Sequence, residues 1–148
     1  MSKDIFVPYE TTRYVRDHCI CMHMQRAARS LARRFDKALK PLGLTNGQFS
    51  ILMTLNRPEA VPRRSVAALL AMDRSTLTAA LKPLEREKLV KVTPDPDDRR
   101  STRLKLTDKG REMLTRALPV WRDTHAEVDL QLSASNPERL RHDLRAIS

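Results

Sequence analysis

Residues 69–110 read LLAMDRSTLTAALKPLEREKLVKVTPDPDDRRSTRLKLTDKG, and the fold turns on this stretch. Asp73 is a good helix N-cap, because its carboxylate can accept from the first free backbone N–H groups of a helix. Behind it Leu77, Leu81 and Leu84 recur at i, i+4 and i+7, which predicts a helix over 73–87 with one apolar stripe. Arg74, Ser75, Thr76, Thr78 and Lys82 fall on the other face. Pro83 stands well past the first turn, where proline removes a helical hydrogen bond, so an irregularity is expected there. Then the period changes to two. Residues 89–93 (LVKVT) and 103–107 (RLKLT) alternate apolar and polar side chains around PDPDDRRS at 94–101. That pattern predicts a β-hairpin with a long, charged tip, a wing over 93–102.

Upstream, Thr45 and Gln48 form a capping box, and Leu44 and Phe49 sit where a hydrophobic staple would. A helix is expected from Thr45 to about Asn56, ended by Pro58. A short helix follows over Arg63–Ala71, with Val66, Leu69 and Leu70 facing inward, and then a tight turn. Farther upstream Ile20, Met24, Ala27, Leu31, Phe35 and Leu42 keep helical spacing. They predict one long helix over about 13–40, stopped by Pro41 and Gly43. Downstream, Leu114, Leu118, Trp121, His125, Val128 and Leu132 alternate steps of four and three, a coiled-coil-like seam with a bend at Pro119. Asn136-Pro137 then caps and starts a last helix with Leu140, Leu144 and Ile147 as its buried stripe.

The 148 residues are enough for a single domain, 1–148, with a core. They carry 28 Lys+Arg against 18 Asp+Glu, a formal net charge of +10. Such a balance implies a polyanionic partner, nucleic acid before a membrane surface. No apolar run approaches the roughly 20 residues of a spanning helix. The opening MSKDIFVPYE is too polar for a secretory signal, and two cysteines cannot build a disulfide scaffold, so a cytoplasmic location is expected. With three glycines, a Gly-rich phosphate loop and a β-rich fold are both disfavoured.

Two short helices, a tight turn, a helix with a hydroxyl-and-arginine face and a basic hairpin make the layout of a winged helix-turn-helix. The expected fold is therefore mainly α with a small β-hairpin, a winged helix-turn-helix flanked by long N- and C-terminal dimerisation helices. A helix fills the DNA major groove, and donors at its N-terminal end reach base edges. Arg74, Ser75 and Thr76 are placed for that, with Thr78 and Lys82 behind them, and a helix N-terminus also favours phosphate. Arg99 and Arg100 at the hairpin tip suit the DNA backbone or the minor groove. Asp97 and Asp98 are expected to brace those arginines by ion pairing. A winged domain needs only about 45–107; the apolar stripes over 13–40 and 108–148 are surplus to it and point to a symmetric partner. A homodimer in turn implies a pseudo-palindromic operator on double-stranded DNA.

The same residues resemble a family. LLAMDRSTLTAALKPLEREKLV followed by DPDDRRSTRLKLTDKGRE, and ALKPLGLTNGQFSIL before them, look like the MarR family of bacterial transcription regulators. The resemblance covers about Cys19 to Gly110, and its most specific part is the wing pattern D-x-x-D-R-R-x-x-x-L-x-L-T-x-x-G. It implies a homodimer with interlocked terminal helices, a winged helix on each half-site and release from DNA, as a repressor, by a small ligand or oxidant. The recognition-helix and wing roles carry over to Arg74, Ser75, Thr76 and Arg99. Three positions depart from the pattern: Ala79 replaces a polar or basic residue, Lys88 the glycine after the recognition helix, and Arg63 an apolar residue. The family's ligand crevice, between the dimer helices and the DNA-binding part, makes His23, Arg26 and Trp121 candidate lining residues for an effector.

His18-Cys19-x-Cys21-x-His23 is the other notable cluster. On one continuous helix at about 100° per residue the two thiols point roughly 160° apart, so they close neither a disulfide nor a chelate. Neither a metal nor a cofactor is expected. Plain helix cysteines are the leading reading, with redox sensing by Cys21 or Cys19 as the alternative, since a helix N-terminus with Arg or His neighbours favours reactive thiols. Asp17 would cap such a helix. The resemblance places Cys21 at the reactive cysteine of the hydroperoxide-sensing branch, but the supporting tyrosines of that branch fall at Gln25 and Phe35. Two other functions compete: an architectural protein coating DNA without sequence preference, and a small thiol or metal enzyme. The second lacks any base-plus-orienter pattern elsewhere in the chain, so no enzyme is expected.

Overall fold

The computed structural model describes residues 6–132 and 134–148. Helices α1 (Tyr9–His18) and α2 (Ile20–Leu39) lead through a 3-10 turn (Lys40–Leu42) to α3 (Asn46–Thr54). Strand β1 (Val61–Pro62), α4 (Arg63–Leu69), α5 (Arg74–Arg86), β2 (Val90–Pro94), β3 (Thr102–Leu106), α6 (Asp108–Gln131) and α7 (Pro137–Ala146) follow. The sheet is antiparallel in the order β1-β3-β2, with Val61 and Val92 both opposite Leu104. The mainly α winged helix-turn-helix is present, and its hairpin carries a third strand, β1, that the sequence reading lacks. Two residues ending in proline show no period, so β1 has no local signature.

The local signals that start and end elements act as their chemistry dictates. Thr45 Oγ1 accepts from Gln48 N at 3.2 Å while Gln48 Oε1 accepts from Thr45 N at 3.1 Å, closing the capping box. The staple residues Leu44 and Phe49 are both buried. Asn136 Oδ1 accepts from Glu138 N, starting α7. Helix α5 ends in a Schellman motif, with Lys88 N donating to Glu85 O and Leu89 N to Leu84 O, both at 2.9 Å. Lys88 holds this turn at φ +58°. A side chain in that region costs roughly 1–2 kcal/mol, so Lys88→Gly is expected to raise the unfolding free energy by about 0.5–1 kcal/mol after glycine's own entropy is counted. Urea midpoints of the two proteins check this; a lower midpoint for the glycine variant would refute it.

One core joins the layers. Leu77, Leu81 and Leu84 of α5 are at most 1 % exposed, and they meet Ile51, Leu52 and Leu55 around α3 and Leu104 of β3. Each such side chain is worth roughly 1.5–3 kcal/mol when fully buried. Helix α6 packs on α2 and α3 through Leu114 and Ala117, with Trp121 stacked on Phe49 at 6.2 Å. Its first half therefore closes the core of its own chain, whereas Leu130 near its end is exposed.

Several expectations are corrected. The long first helix starts earlier, at Tyr9, and is interrupted at Cys19, whose ψ of 109° is extended. Cys19 is at once the C-cap of α1 and the N-cap of α2; Asp17 caps nothing and pairs with Arg16. A one-residue break leaves apolar spacing almost unchanged, so periodicity cannot show it. Leu69 is 67 % exposed rather than inward, because α4 ends there and the chain turns through Ala71 at φ +50°. Leu140 and Leu144 of α7 and Ile147 at its C-cap are exposed too, as are Ile20 and Leu31 of α2. These stripes have no cover within the described chain. Helices α5 and α6 run unbroken through Pro83 and Pro119. Each proline deprives the carbonyl four residues back of its donor, and those residues, Ala79 and Thr115, are exposed and open to water. Among the described residues no helix is long and apolar enough to cross a membrane.

Candidate DNA-binding face

The face is organised by the N-terminus of α5. Asp73 Oδ1 accepts from Thr76 N at 2.7 Å and from Ser75 Oγ at 2.9 Å. The Thr76 backbone N–H above all, with the Thr76 and Ser75 side chains, holds the Asp73 carboxyl below the usual carboxylate range. Ser75 thus already spends its proton on the cap, while Arg74 and Thr76 stay exposed beside it. Thr78 is half-buried one turn on, and Lys82 is exposed a further turn along.

The wing lies against this helix. Arg74 shares a cleft of about 530 Å³ with Arg63, Arg64, Asp98, Arg100, Ser101 and Thr102. Four guanidinium groups against one carboxylate make it strongly cationic. Arg63 and Arg64 were not among the sequence candidates, although Arg63 had stood out as a charge at an apolar position. Arg63 Nη1 donates to Thr78 Oγ1 at 3.3 Å.

The wing acids do something other than brace Arg99 and Arg100. Asp97 pairs with Arg103 at 3.1 Å, and Asp98 Oδ1 accepts from the Arg100 backbone N–H at 3.0 Å. The principal brace is Asp95, whose side chain is only 3 % exposed and lies 3.3 Å from Arg103. Among the described residues the Arg99 and Arg100 side chains take no ion pair, so their charges stay available at the tip. Sequence spacing cannot show which arginine of a basic run turns inward.

Asp95 Oδ1 also accepts from Asp97 N at 2.9 Å. That backbone bond first, and Arg103 after it, hold the Asp95 carboxyl below the usual range against the upward pull of burial. A depressed carboxyl stabilises the fold above its unfolded pKa, near 3.9, and loses that contribution as pH falls through the lower folded value. Asp95→Asn is therefore expected to be less stable than the parent at pH 7, with the gap closing below about pH 4. Thermal melts of both proteins from pH 7 to pH 3 test this; a gap independent of pH would refute it.

The other sequence candidates are only partly brought together. His23 and Arg26 line a shallow cleft of about 260 Å³ on α2 with Arg16, Met22, Gln25 and Arg29. Trp121 is not part of it: its ring packs on Phe49 and on His125, at 4.8 Å. His125 is half-buried beside Asp129 at 3.5 Å. Since Cys19 is extended at the α1–α2 junction, the estimate of two thiols on one continuous helix does not hold. Cys19 is half-buried and Cys21 exposed, with Gln25 Nε2 3.5 Å from Cys21 Sγ.

Comparison with known proteins bears on the family and the fold. The MarR family model matches residues 44–102, from the residue before the α3 cap to the start of β3. The Mycobacterium tuberculosis transcriptional regulator MosR, solved in complex with DNA, is 38 % identical, with a TM-score of 0.78 over 88 % of this chain and 93 % of that one. The chain belongs to the MarR family. Among curated MarR-type relatives, the regulator PecS of Dickeya dadantii is 29 % identical over 84 % of this chain and 74 % of its own length. The Escherichia coli transcriptional repressor MprA is 28 % identical over 95 % of this chain and 77 % of its own. These family members are transcription regulators and not enzymes.

Proposed function

We propose that this MarR-family chain is a homodimeric, sequence-specific repressor that reads a pseudo-palindromic operator with α5 and the wing. The observation that carries the reading is an exposed α5 N-terminus beside a cleft lined by Arg63, Arg64, Arg74 and Arg100, with Arg99 exposed next to Arg100 and neither wing arginine in an ion pair among the described residues. The solved MosR–DNA complex and the name of MprA support DNA binding and repression respectively. Residues 45–107 form the DNA-binding part. The uncovered stripes of α1, α2 and α7, including Ile20, Leu140, Leu144 and Ile147, support a second copy as their cover. A symmetric pair then presents two α5 helices about one DNA turn apart.

Release by a small ligand or an oxidant belongs to the same reading. The cleft at His23, Arg26 and Arg29 suits an anionic effector, and Cys19 and Cys21 lie next to it at the start of α2. Footprinting on DNA upstream of the chain's own gene, with sedimentation of the free protein, tests the proposal. Protection of an inverted repeat by a dimer is expected. Even protection of every sequence would instead support an architectural coating protein. Cys→Ser variants that still release DNA after oxidant would remove the thiols from the mechanism.

A further inference from the structure

Arg63 is the anomaly of the face. It opens α4, is half-buried, and its Nε has neither solvent nor a partner among the described residues. A buried donor left unmade is a cost that stability alone does not explain. What Arg63 does make is the bond from Nη1 to Thr78 Oγ1, reaching from α4 to the middle of α5.

The chemistry of that bond has a direction. A guanidinium can only donate, so the Thr78 hydroxyl must accept and keeps its own proton. Beyond the first turn of a helix, a threonine can spend that proton on the carbonyl four residues back. Thr54, Thr115 and Thr124 all do so here, donating to Ser50 O, Arg111 O and Val120 O at 2.8–2.9 Å. Among the described residues Thr78 makes no such bond to Arg74 O, and its oxygen is held by Arg63 instead.

We infer that Arg63 is a positioning residue for base recognition: it holds the Thr78 hydroxyl off its own helix as a hydrogen-bond donor toward the major groove. This rests on the DNA-binding reading above and adds a preference to it. Guanine N7 and O6, adenine N7 and thymine O4 accept in the major groove, whereas cytosine offers a donor. The base edge opposite Thr78 should therefore present an acceptor. Without Arg63 the hydroxyl is free to turn back to Arg74 O and the preference fades.

The test selects preferred duplexes from a randomised pool with the full-length protein. It then measures discrimination, the affinity ratio between the selected duplex and one with cytosine at the Thr78 position. About tenfold discrimination is expected for the parent, the scale of one good base contact. Arg63→Met and Thr78→Val should each bring the ratio close to one, and the double variant should fall no further. Thr78→Ser, which keeps the hydroxyl, should retain discrimination. If Arg63→Met unfolds, Arg63→Gln, polar at the same half-buried site, takes its place in the cycle. Loss of affinity for all duplexes alike with discrimination intact would make Arg63 a phosphate contact and overturn the inference. So would Arg63 and Thr78 effects on the ratio that multiply. Failure of the parent to prefer any duplex would overturn the DNA reading and this inference with it.

Discussion

Gly110→Ala is expected to lower the free energy of unfolding by about 3 kcal/mol, although alanine is the better helix former by roughly 1 kcal/mol. Gly110 lies in the first turn of α6, where its N–H donates to Thr107 Oγ1 at 3.0 Å. A Cβ there would stand 2.2 Å from Leu89 O and 3.2 Å from a Leu106 methyl. The obstacle is a backbone carbonyl, which no rotamer change can move. That carbonyl also accepts from Thr107 N at 3.1 Å and from Thr107 Oγ1 at 3.2 Å. Making room therefore parts α6 from the base of the wing and breaks the N-cap in the same movement. Overpacking against side chains typically costs about 1–3 kcal/mol, and rigid backbone takes this case to the upper end. For a chain of this size the melting temperature should fall by roughly 6–12 °C. Guanidinium unfolding of the two proteins decides it: an equal or higher midpoint for the alanine variant would mean the junction relaxes freely.

The double variant Arg99→Ala/Arg100→Ala should lose DNA affinity by about 30-fold at 0.15 M salt while melting like the parent. Both side chains are exposed at the wing tip without ion pairs among the described residues, so their removal takes no support from the fold. If each neutralises one phosphate, the slope of log affinity against log salt should flatten by about 1.8, and each contact is worth roughly fivefold at that salt. Fluorescence anisotropy over a salt series reads both quantities. An unchanged slope with unchanged affinity would take the wing out of the interface. Arg103→Ala is the instructive contrast. Arg103 is tied to Asp95 and Asp97, so its loss should lower the melting temperature and affinity together.

Much of the fold was readable because it is written locally. The Thr45–Gln48 capping box, the Asp73 cap, the Leu77–Leu81–Leu84 stripe and the alternation around PDPDDRRS each depend on residues a few positions apart. The glycine turn replaced by Lys88 was readable for the same reason, and its φ of +58° follows. The candidate face was readable only in part: Arg74 and Arg100 could be picked out, whereas Arg63 and Arg64 of the same cleft could not. Arg74 and Arg100, both legible in the sequence as cations, line one cleft, and Arg99 is exposed next to Arg100 in the wing. Ser75 proved to spend its hydroxyl on Asp73, and Trp121 to spend its ring on Phe49 rather than on the His23–Arg26 cleft.

By itself, then, the sequence determined the starts of the capped helices and the hairpin, which faces are apolar, the sign of the charge and the family pattern of the wing. Those follow from backbone hydrogen bonding and side-chain periodicity, which act over a turn or two of chain. Only the tertiary structure decided that Cys19 interrupts the first helix, that β1 completes the sheet and that Asp95 rather than Asp98 anchors an arginine. It also decided that Arg63 reaches Thr78, fifteen residues away. In each case a polar group or short strand had several chemically adequate partners in the sequence. The choice among them was made by packing, which brings one partner within reach and removes water from the rest.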